Sequence, residues 1–89
     1  MVVKIFNVYI IPNGANFEKA IMQNRKFKYE RRKYRECLYF NDVDSYLTSA
    51  FSGRKAYESE YSIWIPVKGK TYKINKKYIK KVGNIVRPE

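Results

Sequence analysis

Two blocks of basic residues interleaved with aromatic rings are the part of this sequence whose residue types could do chemistry. Residues 25–36 hold Arg25, Lys26, Lys28, Arg31, Arg32, Lys33 and Arg35 against Glu30 and Glu36, a net charge of +5, with Phe27, Tyr29 and Tyr34 among them. Residues 68–81 hold Lys68, Lys70, Lys73, Lys76, Lys77, Lys80 and Lys81 with no acid, a net charge of +7, beside Tyr72 and Tyr78. The remainder sums to −1, so these two segments carry the whole imbalance of +11. Lysine and arginine displace counterions from phosphates, arginine grips phosphate oxygens in pairs, and tyrosine rings stack on exposed bases. The chemistry expected is recognition of nucleic acid, DNA or RNA, mainly through its phosphate backbone. The candidate contacts are the fourteen bases of the two blocks together with Tyr29, Tyr34 and Tyr72.

Other chemistries are harder to build. A chain with no histidine and the single cysteine Cys37 lacks the nitrogen and sulfur ligands of a zinc site and the partners of a Ser-His-Asp or Cys-His centre. Asp42 and Asp44 read as helix caps, and Glu58 with Glu60 lacks the companion residues of a metal nuclease. Neither a metal nor a cofactor is expected, and the chain reads as a binding protein rather than an enzyme. Zinc-finger spacing, an RNA-recognition-motif consensus, a GXXG loop and a heptad run are all missing, which points to a backbone binder rather than a base reader. One alternative is a phage- or plasmid-type inhibitor or accessory protein that docks on an acidic protein surface. Another is a metal-independent ribonuclease, in which Lys, Arg and Tyr stabilise the transition state and a Glu serves as base. In length, basicity and a β, helix, β order the chain resembles small mRNA-cleaving toxins, although no motif matches residue by residue. Biased coding would also enrich lysine, but it would balance lysine with glutamate, and here the balance is absent.

Composition sets the frame for these sites. In 89 residues, 45% hydrophobic and 17% aromatic side chains suffice for a core, so residues 1–89 are read as a single basic α+β domain. A domain of this size buries only roughly 60–65% of its unfolded surface, so a homodimer or a bound partner would add stability. The longest apolar run, residues 8–11, is far short of the ~20 residues of a membrane span, and Lys4 and Asn7 interrupt what could pass for a signal-peptide core. With one unpaired cysteine, a cytoplasmic location and no membrane contact are expected.

The elements that must position the blocks follow from periodicity and turn residues. The expected fold is α+β, an antiparallel-rich sheet of about four strands with two or three helices. Residues 2–11, rich in β-branched and aromatic side chains, read as a strand that Pro12-Asn13-Gly14 ends. Asn16 caps a helix carrying Phe17, Ala20 and Ile21, with a break near residues 31–33 and a strand over 34–40. Asn41, Asp42 and Asp44 cap a helix whose core face is Val43, Tyr46, Leu47, Ala50 and Phe51, with Gly53 past its end. Residues 57–67 alternate as one strand, with Trp64 on the face of Glu58 and Glu60. Pro66 belongs at an edge or hairpin mouth, and Lys68-Gly69-Lys70 turns the chain into a strand over 71–74. A last helix, capped by Asn75 and ended by Gly83, would set Lys76, Lys77, Lys80 and Lys81 in one arc of about 140°. Whether the two blocks share a face depends on contacts that periodicity does not encode.

Overall fold

Runs of β-branched and aromatic residues separated by polar turns put just over half of the described residues into strands. A computed structural model describes residues 2–12, 14 and 22–88. Its strands are Val3–Ile10 (β1), Met22–Gln23 (β2), Arg35–Phe40 (β3), Arg54–Glu58 (β4), Ser62–Val67 (β5), Lys70–Asn75 (β6) and Lys80–Pro88 (β7). They form one seven-stranded mixed sheet in the order β2-β6-β5-β4-β3-β1-β7. The β1–β3 pair is parallel, and the other pairs are antiparallel. Two short helices, Asn24–Glu30 (α1) and Val43–Thr48 (α2), and three single 3₁₀ turns complete the described structure.

This overturns the expected four strands with two or three helices: the described residues hold more strand and less helix. The largest difference is in the second basic block. Asn75 does cap a turn, its Oδ1 accepting from the Lys77 amide at 2.9 Å, but the turn is the single 3₁₀ segment Lys76–Tyr78. From Lys80 the chain is extended and pairs with β1 over eight positions, from Ile10↔Lys80 to Val3↔Pro88. That long-range ladder outweighs a few residues of helical periodicity, since an isolated helix this short is unstable. Gly83 is no helix terminus. It lets the Tyr46 hydroxyl approach the strand, where an added Cβ would lie 2.8 Å from that oxygen.

The expected strand over 57–67 is a hairpin. Its turn spans Ser59 to Tyr61, with the Ser59 amide donating to the Ser62 carbonyl at 2.9 Å. Glu58 therefore pairs with Ile63 and Tyr57 with Trp64, which moves Trp64 off the face of Glu58. Pro66 stands at the hairpin mouth, beyond the last β4–β5 pair, where its missing N–H costs no ladder bond. Lys68 (φ 43°) and Gly69 (φ 84°) form the expected tight turn. The Asn24 amide braces it, donating to Thr71 Oγ1 at 2.7 Å and to the Lys70 carbonyl at 2.6 Å while accepting from the Gly69 amide at 3.2 Å. The break near 31–33 is a 3₁₀ turn between α1 and β3, and the helix after Asp42 stops at Thr48. The proposed Asn16 helix lies outside the described residues.

The sheet curls. Strands β1 and β6 are four places apart, roughly 19 Å in a flat sheet, yet Lys76, just past β6, lies 5.5 Å from the Tyr9 ring centre on β1. The concave face encloses Tyr9, Ile11, Cys37, Tyr39, Ala56, Ile63, Ile65 and Ile74. The convex face carries two apolar patches. Under α2 and its following turn, Phe6, Val8, Leu38, Phe40 and Ile85 pack with Tyr46 and Ala50, whereas Leu47 and Phe51, expected in the core, are exposed. Under α1, Phe27 meets Tyr34, Tyr57 and Trp64 with ring centres 5.1–6.3 Å apart.

Candidate nucleic-acid interface

After β2, at one edge of the sheet, the chain must return to β3, four places along the order, and α1 makes that crossing over the convex face. Its only buried residue, Phe27, seats it on the aromatic patch, and the 3₁₀ turn Arg31–Lys33 then delivers the chain to β3. The central part of the first basic block is thereby laid against the sheet beside Lys4 of β1 and Lys55 of β4. Lys4, Glu36 and Lys55 belong to adjacent strands, and their registers put all three on the convex face.

The result is a groove of about 450 Å³ lined by Lys4, Arg31, Arg32, Tyr34, Arg35, Glu36, Lys55 and Tyr57. Among the described residues lining it, five cations face one carboxylate, a surplus of four positive charges. Glu36 is the organising anion. Its Oε2 accepts from Lys4 Nζ at 2.7 Å, and its Oε1 is 4.0 Å from Lys55 Nζ. The Lys4 hydrogen bond holds the Glu36 carboxyl below the usual carboxylate range against the opposing effect of burial, with Lys55 and Arg31 adding to the lowering. Arg31, Arg32 and Arg35 are exposed and form no ion pair with any described residue. At the wall of the groove, burial and then the Glu30 charge raise the Tyr34 phenol above its ordinary value.

Other members of the first block surround this groove. Arg25, Lys26 and Tyr29 are exposed on α1, Tyr29 at 80%, and Lys33 is exposed on the turn. Lys28 lines a smaller hollow with Asn24, Phe27, Arg31, Tyr57 and Pro66.

The second block is scattered. Lys68 and Lys70 flank the β5–β6 turn, and Lys73 stands 5.8 Å from the Trp64 ring centre on the convex face. Lys76 turns to the concave side, where its Nζ donates to Glu58 Oε1 at 3.0 Å. Lys77 lies over Tyr78, Lys80 and Lys81 begin β7 on opposite faces, and Tyr72 borders the concave cavity beside Ile65 and Val67. Folding thus joins part of the first block to Lys4 and Lys55, and brings Lys73 alone of the second block to the adjoining aromatic patch.

Sequence reasoning missed Lys4, Lys55 and Glu36 because the first two lie in the nearly neutral remainder and the third counted only as a subtraction. Their convergence depends on strand register. It also missed the concave counterpart, in which Glu58, 8% exposed, accepts from three side chains. Besides Lys76, Tyr9 Oη donates to its Oε1 at 3.0 Å, and Asn7 Nδ2 lies 3.3 and 3.2 Å from its two oxygens.

Among the described residues no helix is long and apolar enough to cross a membrane, and no cluster of three or more His, Cys, Asp or Glu side chains gathers as a metal site. Against known protein families, curated proteins and solved structures, the chain finds no match.

Proposed function

We propose that this protein binds nucleic acid through the phosphate backbone, with the Glu36 groove as the grip. The observation that carries the proposal is the surplus of four positive charges among the described residues that line one groove, including three arginines that form no ion pair with a described residue. Such cations exchange their counterions for phosphates, and arginine adds paired hydrogen bonds to the non-bridging oxygens. Tyr29, exposed on α1 near the groove, offers a ring for a splayed base to stack on. The dispersed lysines of the second block raise the field around the molecule and speed encounter without forming a second grip.

Cleavage is not part of the proposal. A general base works best with a pKa near the working pH, and Lys4 holds the groove's carboxylate well away from that condition. Labelled RNA is expected to remain intact when bound.

The test is a salt titration of binding to single-stranded DNA and RNA. Contact with about four phosphates gives a slope of about −3 in log affinity against log salt. A flat response, or no binding at low salt, overturns the proposal, as does a partner from cell extract that stays bound after complete nuclease treatment while purified nucleic acid does not bind.

A further inference from the structure

Resting on the nucleic-acid reading, the groove narrows the class of ligand, because it holds more positive charge than an internal phosphodiester answers. An internal linkage brings one negative charge and two non-bridging oxygens. A terminal phosphomonoester brings a charge of about −1.5 to −2 and three strong acceptor oxygens. Into about 450 Å³ the protein brings Arg31 and Arg32 from one tight turn, while Arg35, at the start of the next strand, borders the groove from the register position opposite Glu58. Arg31 and Arg32 are planar forks each suited to two oxygens, and neither forms an ion pair with a described residue. Lys4 and Lys55 approach from the sheet floor, fixed by Glu36, which consumes one charge of the five. A stiff duplex lays its phosphates along a surface, and only a flexible strand can bend its end into a hollow of this size. We infer that the groove captures the phosphorylated end of a single-stranded nucleic acid, with Arg31 and Arg32 as forks around the terminal phosphate.

This assignment has its own pH signature. The second ionisation of a phosphomonoester falls near pH 6. Among the described residues, the charged and titratable groups lining the groove are Lys4 from β1, Arg31 and Arg32 from the turn, Tyr34 just after it, Arg35 and Glu36 from β3, and Lys55 and Tyr57 from β4. None is a histidine, the residue type that ionises in this window, and the Glu36 carboxyl is held below it. Any loss of end preference between about pH 7.5 and 5.5 then reports the ligand's own charge.

The experiment compares, by fluorescence anisotropy at about 50 mM salt, single strands of about 12 nucleotides bearing a 5′-phosphate, a 3′-phosphate or hydroxyls at both ends, with AMP as a free phosphomonoester. One phosphorylated strand is expected to bind about tenfold more tightly than the hydroxyl-ended strand, and more tightly than AMP by at least as much. That preference should shrink severalfold at about pH 5.5, and R31K/R32K, which keeps the charge but removes two forks, should abolish most of it. Equal binding of phosphorylated and hydroxyl-ended strands overturns the end assignment and leaves backbone binding standing. AMP binding as tightly as the best strand overturns it in favour of free nucleotides. Failure of every strand to bind removes the underlying reading as well.

Discussion

Two carboxylates on opposite faces of the sheet, Glu36 and Glu58, each take a lysine as partner, and they serve opposite ends. Glu58 is almost fully buried and receives Lys76, Tyr9 and Asn7, so one negative charge meets one positive charge and the acceptors are filled. Glu36 is a quarter exposed and faces Lys4 and Lys55, with Arg31, Arg32 and Arg35 lining the same groove. A balanced centre inside the fold has nothing left to offer a ligand and contributes to stability and a unique packing. An unbalanced centre at the surface contributes little stability and leaves a field directed outward. The difference lies in burial and stoichiometry rather than in residue type.

The strongest way to break the comparison is at Glu58. Its replacement by alanine leaves the Lys76 ammonium and the Tyr9 hydroxyl without their acceptor in the concave core. About 3–5 kcal/mol of stability should be lost in urea unfolding. A loss below about 1 kcal/mol would mean that water replaces the carboxylate and that the centre is not structural.

Next in size is the groove. R31A/R35A removes two exposed cations, and affinity for single-stranded nucleic acid should fall by about tenfold or more at low salt while the thermal midpoint moves by only a few degrees. K77A/K81A removes the same charge from outside the groove and should change affinity less than about threefold. Equal losses from the two pairs would show that total charge, and not the groove, governs binding.

Smaller effects are expected at Glu36. The variant E36Q should cost about 0.5–1 kcal/mol of stability, as for a partly exposed ion pair. It should also tighten binding of single strands severalfold, because the groove then holds five cations and no anion. Weaker binding would assign Glu36 the role of holding Lys4 in place.

The smallest signatures are in pH. Because the Glu36 pKa is lowered in the fold, its contribution is complete above the ordinary carboxylate value and disappears as pH falls through the lowered one. At Lys76, burial lowers the pKa but the hydrogen bond and charge of Glu58 outweigh it, so the net shift is upward. Its contribution is complete below the ordinary lysine value and is lost as pH rises through the raised one. The Tyr9 phenol, raised first by burial and then by Glu58, adds to alkaline loss in the same way. Urea unfolding against pH should therefore show an acid limb that E36Q removes and an alkaline limb that K76M reduces, the part due to Tyr9 remaining.

Local signals in the sequence reached certain features because the physics that forms them is local. The strand β1, the Asp42 cap, whose Oδ1 accepts from the Ser45 amide at 2.7 Å, and the Lys68-Gly69 turn each depend on a few adjacent residues. So does the break between α1 and β3. The hairpin in residues 57–67 was not reached, because alternation continues across Ser59-Glu60-Tyr61-Ser62 without glycine or proline. The polar run itself was the available signal. Reversal there exchanged the partners of Trp64 and Glu58, sending one to the aromatic patch and the other to the concave core.

By itself the sequence determined the amount of positive charge, its division into +5 and +7, the aromatic supply, and the lack of histidine chemistry. Tertiary structure decided which of those charges act together. Strand register alone places Lys4, Glu36 and Lys55 on one face, and the α1 crossing alone lays Arg31 and Arg32 beside them. The β1–β7 ladder undoes the lysine comb, and the curl of the sheet gives Lys76 to Glu58. The physical reason is range: charge and propensity belong to single residues or short windows, whereas a shift of one residue in pairing moves a side chain to the other face of the sheet.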